Sequence, residues 1–89
     1  MPPVEIYTTR YCPYCGWAKE LLVKKNVPFT EIDVSDRQER AKMTARANGR
    51  TSVPQIFIGA THVGGCDDLY ALDEAGGLDP LLQGASANA

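Results

Sequence analysis

The order of hydrophobic and polar positions along the chain predicts strands at four places. VEIYT (4–8) combines β-branched and aromatic residues, and FTEIDV (29–34) alternates apolar and polar positions. Both patterns are typical of strands. The segments QIFI (55–58) and HV (62–63) predict a hairpin that turns at Gly59-Ala60.

The first of three predicted helices begins beside a pair of cysteines. Pro13 suits the first helical position, because the N–H that proline lacks would have been unpaired there. NVP (26–28) ends this helix. Its apolar residues recur at helical spacing: Tyr14, Ala18, Leu21 and Leu22.

Two further helices have recognisable ends. Ser35 or Asp36 can cap the segment RQERAKMTARAN, and Gly49 is the predicted stop. The last predicted helix covers residues 67–75 and ends at Gly76-Gly77. The sequence therefore predicts three helical segments between or after the strands.

The order of these elements, β-α-β-α-β-β-α, predicts an α/β fold. A strand, a helix and a second strand form a parallel pair with a right-handed crossover, whereas the closing hairpin is antiparallel. We expect a four-stranded mixed sheet flanked by three helices, as one domain over residues 1–83, with a flexible tail at 84–89. Ligands of such sheets bind at the carboxyl ends of the parallel strands, and the first of these ends leads into the cysteines.

Composition and charge exclude several classes of protein. With 89 residues the chain is long enough for one domain, and its net charge of −2 disfavours nucleic acid as a partner. No apolar run approaches the roughly 20 residues that cross a bilayer, so no membrane association is expected. The N-terminus lacks the basic and apolar regions of an export signal, which predicts a cytoplasmic protein. Three cysteines, an odd number, do not suggest a disulfide framework.

The spacing Cys12-x-x-Cys15 is compatible with redox chemistry. Cys12 lies at the predicted N-terminus of a helix, where free N–H groups and the helix dipole stabilise a thiolate. Cys15 follows one turn later and is close enough to attack a mixed disulfide formed by Cys12. Arg10 adds a positive charge nearby.

A metal site and a structural role are the alternatives for the same cysteines. Zinc requires four ligands, which Cys12, Cys15, His62 and Cys66 could supply. Two of the four, however, would lie on a long amphipathic helix rather than on the short turns that usually hold paired zinc thiolates. Two buried, inert thiols would leave the placement of Pro13 without a reason.

Three separated motifs resemble the glutaredoxin family. They are CPYC (12–15), TSVPQIFI (51–58) and GGCDDL (64–69), and the resemblance covers about residues 3–83. Small bacterial dithiol glutaredoxins are the most similar members. Thioredoxins resemble the chain less, because they typically carry CGPC and lack the GGCDD segment. The resemblance implies a thioredoxin-like fold, in agreement with the predicted order of elements.

The resemblance also implies a binding site for glutathione. Pro54 would be a cis-proline that faces the cysteines, and the backbone of Val53 would pair with the cysteinyl part of glutathione. Gly65 would allow close approach of the ligand backbone. The N–H groups of Cys66 and Asp67 would bind a carboxylate, and the Asp67 side chain would bind the adjacent ammonium.

Other residues near this implied site have less specific roles. Tyr14 is expected to line the groove, and Asp68 to favour the helix dipole as an acid of the first turn. Trp17 is expected to be half-buried by packing, and His62 to be a solvated hairpin residue. Family members commonly carry a lysine where this chain has Thr9, and Arg10 is the nearest basic residue that could replace it toward the Cys12 thiolate and the glycine carboxylate of glutathione.

The function that the resemblance implies is a glutathione-dependent dithiol–disulfide oxidoreductase. Cys12 would attack glutathionylated or disulfide-bearing proteins, and Cys15 or a second glutathione would resolve the intermediate. Glutathione would be the co-substrate, with no tightly bound cofactor and no metal, and we expect a monomer. A carrier of an iron–sulfur cluster ligated by glutathione is the alternative, which Pro13 and Cys15 disfavour, and a non-enzymatic interaction module is a third.

Overall fold

The computed structural model describes residues 2–84 of the chain. Eight elements follow one another along it: β1 (Val4–Thr8), α1 (Pro13–Lys24), β2 (Thr30–Asp33), α2 (Arg37–Arg46), β3 (Gln55–Ile58), β4 (Thr61–Gly64), α3 (Cys66–Glu74) and α4 (Leu78–Leu82).

The four strands form one mixed sheet in the order β2-β1-β3-β4. β1 runs parallel to β2, with Glu5 opposite Thr30, and antiparallel to β3, with Ile6 opposite Ile56. β3 and β4 form the antiparallel hairpin. The predicted parallel pair, the hairpin and the mixed sheet are therefore confirmed.

The predicted start of α1 at Pro13 is also confirmed, but its buried face differs from the predicted stripe. Pro13 occupies the first turn, and Cys12 is the N-cap residue. The buried positions are Cys15, Ala18, Leu21 and Leu22. Tyr14 is 54% exposed. Since Cys15 lies one helical step further round, it replaces Tyr14 on the face that packs against the sheet.

Asparagine, rather than glycine, takes the first left-handed position after α1 and after α2. Asn26 has a φ of 58°, and the Val27 N–H donates to the Leu22 carbonyl at 3.2 Å. Asn48 likewise has a φ of 58°, and the N–H of the next residue, Gly49, donates to the Thr44 carbonyl at 2.9 Å. Asparagine tolerates this conformation better than most residues. The prediction that the second helix stops at Gly49 is thus corrected by one residue.

The sequence failed to predict α4, and α3 begins one residue earlier than expected, at Cys66. In the described part of the chain, four helices rather than three flank the sheet. The five residues of α4 are too few to show a helical period, and their pattern contains Pro80. α4 nevertheless buries Leu78 and Leu82 in the main core.

The core lies between the sheet and the helices α1, α3 and α4. It is formed by apolar side chains of these elements and of the adjoining loop: Val4, Ile6, Ala18, Leu21, Leu22, Val27, Ile56, Ile58, Cys66, Leu69, Leu78 and Leu82. Within residues 2–84, no helix has the length and the apolar character needed to cross a membrane. Of the predicted tail, residues 85–89 lie outside the described part of the chain.

Candidate active site

Cys12, the N-cap residue of α1, and Cys15, in the first turn of that helix, form a disulfide and differ in exposure. Their Cα atoms are 5.2 Å apart. Cys15 is only 2% exposed, whereas Cys12 is partly exposed at the helix end. The Cys15 N–H donates to the Cys12 sulfur at 3.1 Å. In the reduced protein, the same N–H group and the helix dipole would stabilise a Cys12 thiolate.

The loop before β3 faces the cysteines. The Val53–Pro54 peptide bond is cis, as the resemblance implied. The Val53 carbonyl oxygen lies 3.9 Å from the Cys12 sulfur. Since the paired residues of β3 begin at Gln55, the Val53 backbone precedes the sheet and faces the cysteine end of α1.

Gln55 and His62, on the two strands of the hairpin, hold this loop in position. Gln55 is fully buried, and its Nε2 donates to the Ser52 carbonyl at 3.0 Å. His62 is bonded to the same amide, with 2.6 Å between its Nε2 and Gln55 Oε1, and its ring stacks on Phe57. Burial and the nearby Arg50 guanidinium lower the pKa of His62. The expectation of a solvated His62 was therefore wrong, because a hairpin position alone does not reveal the partners across the sheet.

The N-terminus of α3 forms the opposite wall of the site. Gly65 is the N-cap residue, and its N–H donates to Asp68 Oδ2 at 2.8 Å. The Arg50 guanidinium donates to the same oxygen at 3.1 Å. Asp67 forms neither a salt bridge nor a side-chain hydrogen bond with the described residues 2–84. Asp68 is therefore a structural acid of the first turn, as expected, while Asp67 can accept a ligand.

A cavity of about 170 Å³ lies between the loop and α3. Nine residues line it: Tyr14, Arg50, Ser52, Val53, Pro54, Gly65, Cys66, Asp67 and Asp68. Six of them were singled out from the sequence as substrate-binding: Tyr14, Val53, Pro54, Gly65, Cys66 and Asp67. The structure brings these six together at the cysteine end of the sheet.

Sequence reasoning missed Arg50, a cationic residue in the cavity wall. The available signal was its position four residues before Pro54, at the start of the loop that faces the cysteines. Arg10, the basic residue singled out instead, does not line the cavity. Its backbone N–H donates to Ser35 Oγ at 3.3 Å. Whether its side chain reaches a bound ligand stays a prediction.

The third cysteine differs chemically from the pair. The Cys66 side chain is buried, and this burial, together with the Asp67 carboxylate, raises the pKa of its thiol. A buried thiol that stays protonated at neutral pH is a poor nucleophile. No group of three or more histidine, cysteine or acidic side chains suited to a metal ion occurs within the described range, and His62 lies with Gln55 rather than with the cysteines.

A pH-dependent contribution to stability is expected from Asp68. The Gly65 N–H and the Arg50 guanidinium lower the pKa of this carboxyl below its ordinary value of about 3.9. Because the folded-state pKa is the lower one, the contribution is full above the unfolded-state pKa and is lost as the pH falls through the folded-state pKa. We expect Asp68→Asn to reduce the free energy of unfolding by about 0.5–1 kcal/mol at pH 7, since the side chain is half-exposed.

Urea unfolding of both proteins from pH 7 down to pH 2 measures this difference. The difference between the two proteins should be largest above about pH 4, and it should narrow as the pH falls further through the lowered folded-state pKa. A difference that stays constant down to pH 2 would show that the charge of Asp68 is not responsible.

Comparison with known proteins agrees with this geometry. The glutaredoxin family model matches residues 4–63. A glutaredoxin of Pseudomonas aeruginosa is 60% identical over 82 residues, which cover 92% of this chain and 98% of that protein. The solution structure of a glutaredoxin from Brucella melitensis is 57% identical, covers 92% of this chain and 89% of its own, and superposes with a TM-score of 0.82.

A more distant structure includes a ligand. The crystal structure of a buckwheat glutaredoxin–glutathione complex is 28% identical and has a TM-score of 0.84, covering 97% of this chain and 81% of its own. The family match spans most of the chain, and the high-identity relatives are matched along nearly their whole length. The chain therefore belongs to the glutaredoxin family of glutathione-dependent thiol–disulfide oxidoreductases.

Proposed function

We propose that Cys12 is the nucleophile of this oxidoreductase and that the cavity beside it holds glutathione. The observation that carries the proposal is the position of the partly exposed Cys12 sulfur, which lies at the N-terminus of α1 and faces the Val53 carbonyl. A cavity adjoins this position, and Asp67 in its wall has no salt-bridge partner among residues 2–84. The enzyme reduces mixed disulfides between proteins and glutathione, and other disulfides.

The reaction consists of two thiol–disulfide exchanges. The Cys12 thiolate attacks the glutathione sulfur of the mixed disulfide, the bond to the protein sulfur breaks, and the protein leaves as a thiolate that takes up a proton. A second glutathione thiolate then attacks the glutathione sulfur on Cys12 and releases glutathione disulfide together with the Cys12 thiolate. Alternatively, Cys15 attacks the Cys12 sulfur, releases reduced glutathione and forms the disulfide seen in the structure.

Each part of glutathione has a matching group in the site. The Val53 backbone would pair with the cysteinyl residue in the manner of an added strand. The N–H groups of Cys66 and Asp67, at the N-terminus of α3, would bind the γ-glutamyl carboxylate. The Asp67 carboxylate would bind the adjacent ammonium. The buckwheat glutaredoxin of similar fold binds glutathione, which supports glutathione as the ligand of this chain.

Two arginines are available for the glycine carboxylate. Arg50 lines the cavity and is paired with Asp68, whereas Arg10 lies outside the lining and is exposed. We propose that Arg10 supplies long-range attraction toward glutathione and the Cys12 thiolate. Arg50, which lies in the cavity wall, would bind the glycine carboxylate directly. An exposed charge is screened by salt, so the effect of Arg10 should fade at high ionic strength.

The proposed setting follows from the chemistry. The cytoplasm supplies the reduced glutathione that the cycle consumes. Glutathionylated and disulfide-bearing proteins are the proposed partners. The proposed oligomeric state of the enzyme is a monomer. The iron–sulfur carrier is not favoured, because Cys15 lies within bonding reach of Cys12 and competes for its sulfur.

The charge of Asp67 provides the test of the glutathione site. We expect Asp67→Asn to raise the KM for glutathione about two- to fivefold, because it removes one partly solvated ion pair with the ligand. Alkylation of Cys12 by the neutral reagent iodoacetamide should be nearly unchanged, since the side chain contacts the ligand and not the sulfur. A coupled assay with glutathione and glutathione reductase measures both KM and kcat.

Three variants complete this experiment. Glu39→Gln removes the same charge from α2, away from the cavity, and should leave the KM unchanged. Arg10→Ala and Arg50→Ala, assayed at low and high salt, show which arginine binds the opposite end of glutathione. If Asp67→Asn leaves the KM at the wild-type value, then Asp67 is only a first-turn acid and the proposed placement is incorrect.

A further inference from the structure

A second recess lies between α1 and α3 and adjoins the glutathione cavity. It has a volume of about 430 Å³ and is lined by seven residues, which define the Trp17 groove: Tyr14, Trp17, Cys66, Asp67, Tyr70, Ala71 and Glu74. Tyr14, Cys66 and Asp67 belong to both linings. Whatever occupies the groove therefore lies directly beside the ligand of Cys12.

Aromatic side chains of both α1 and α3 are exposed in the Trp17 groove. Tyr14 and Trp17 are each about half-exposed, and their rings pack edge to face at 5.2 Å between centroids. The Tyr70 hydroxyl donates to the Trp17 carbonyl at 3.0 Å, which ties α3 to α1. Trp17 is thus half-buried, as expected, and the rest of its side chain is exposed in the groove. Tyr and Trp side chains are enriched at protein interfaces, so neighbouring exposed aromatic residues favour an interaction site.

The charge of the Trp17 groove is entirely acidic. Asp67 and Glu74 are the only ionised residues in its lining at neutral pH, because the thiol of Cys66 stays protonated. Neither carboxylate forms a salt bridge with residues 2–84. The neighbouring acids Glu20 and Asp73, in contrast, are paired with Lys24 and Lys25.

The Tyr70 hydroxyl in the groove lining also lies near acidic side chains outside that lining. Burial raises the pKa of its hydroxyl, and nearby Cys66, Glu20 and Asp73 raise it further. Because Asp67 and Glu74 lack salt-bridge partners among residues 2–84, a cation entering the groove would meet favourable charge without displacing an existing partner.

We propose that the Trp17 groove receives the polypeptide that flanks the glutathionylated cysteine of a substrate protein, and that it favours a lysine or arginine together with an apolar side chain close to that cysteine. This inference rests on the proposed function, because it places glutathione in the neighbouring cavity. When glutathione neutralises Asp67 through its ammonium, Glu74 is the acid that remains for the substrate. The aromatic surface of Trp17 provides the contact for the apolar side chain.

The occupant is a flanking peptide because of where the groove lies. When Cys12 attacks the glutathione sulfur, the substrate cysteine is bonded to that same sulfur. The residues next to this substrate cysteine must therefore lie close to Cys12. The groove shares a wall with the cavity, so an extended segment that leaves the disulfide enters it without crossing the sheet. Complementary charge across such a contact determines which partners are preferred.

Short peptides with one glutathionylated cysteine test the proposal. Three hexapeptides carry Lys and Leu, Glu and Leu, or Lys and Gly beside the modified cysteine. The mixed disulfide of glutathione with β-mercaptoethanol is the substrate without a peptide. We expect wild-type kcat/KM at low salt to be about fivefold higher for the Lys-Leu peptide than for the Glu-Leu peptide. High salt should reduce this ratio.

Variants assign the preference to the groove. Glu74→Gln should lower the Lys-to-Glu ratio about twofold. Trp17→Ala should lower kcat/KM for the Lys-Leu peptide about fivefold and that for the Lys-Gly peptide much less. Neither variant should change turnover of the β-mercaptoethanol mixed disulfide. The matched controls are Glu39→Gln on α2 and Val23→Ala, an exposed apolar residue of α1 outside the groove.

Several results would overturn the proposal. Equal rates for all three peptides would do so, as would a Glu39→Gln effect as large as that of Glu74→Gln, which would indicate only the overall field of the protein. Sedimentation of the wild type as a dimer that Trp17→Ala dissociates would show that a second copy of the chain occupies the groove. If wild-type enzyme fails to turn over the β-mercaptoethanol mixed disulfide, the proposed function itself fails, whereas turnover without peptide discrimination refutes only the groove.

Discussion

Cys12→Ser should lose turnover of every disulfide substrate, by about a thousandfold or more. The hydroxyl of serine remains protonated at neutral pH, so the helix N-terminus has no anion to stabilise and no nucleophile is formed. The Cys15 thiol cannot replace it, because its side chain is 2% exposed and lies inward of the helix end. The measurement is a steady-state assay with the β-mercaptoethanol mixed disulfide and with a protein disulfide.

Cys15→Ser should separate the two substrates in the same assay. The mixed disulfide needs only one enzyme thiol, because free glutathione resolves the intermediate, and its turnover should persist. Reduction of a protein disulfide should fall sharply, because the second enzyme thiol releases the bound protein. Equal loss of mixed-disulfide turnover in Cys12→Ser and Cys15→Ser would contradict the proposed roles.

Gly64→Ala should destabilise the protein and weaken glutathione binding together. Gly64 has a φ of 114°, a conformation that residues with a side chain rarely adopt. A Cβ at this position would come within 2.7 Å of the Arg50 guanidinium and would also meet the Asp68 carboxylate. Backbone strain of this type costs about 1–3 kcal/mol. The displaced ion pair forms part of the cavity wall, so the KM for glutathione should rise as well.

Gly16→Ala is the matched control in the same chain. Gly16 lies within α1, and a Cβ there would meet no atom within 4 Å beyond the neighbouring backbone of its own helix. Alanine is a better helix former than glycine, so the free energy of unfolding should increase by about 0.5–1 kcal/mol. Urea unfolding of the two variants measures both effects. If both substitutions stabilise the protein, the positive φ of Gly64 does not constrain the turn.

The sequence predicted those features of the fold that have a local cause. Pro13 indicates where α1 begins. Asp36, one of the two predicted caps of α2, accepts a hydrogen bond from the Gln38 N–H through its side chain. The hairpin followed from the apolar run of β3 and the turn after it. In each case the signal lies within a few residues of the feature that it predicts.

Features that depend on distant partners were missed. α4 is stable because Leu78 and Leu82 enter a core built by other elements, and five residues carry no period of their own. Arg50 reaches the cavity through its ion pair with Asp68, eighteen residues further along the chain. His62 is held by Gln55 across the hairpin. No local pattern in the sequence specifies these pairings.

The unequal burial of the two sulfurs sets the direction from which the oxidised enzyme can be regenerated. A glutathione thiolate that arrives from solvent can approach the sulfur of Cys12, while the 2% exposure of Cys15 shields the other half of the disulfide. Attack at Cys12 expels Cys15 into the protein interior and produces Cys12 bonded to glutathione. This is the same species that forms when a substrate protein is released. Both half-reactions thus converge on one adduct, and a single glutathione pocket serves the enzyme whether it is giving or receiving electrons.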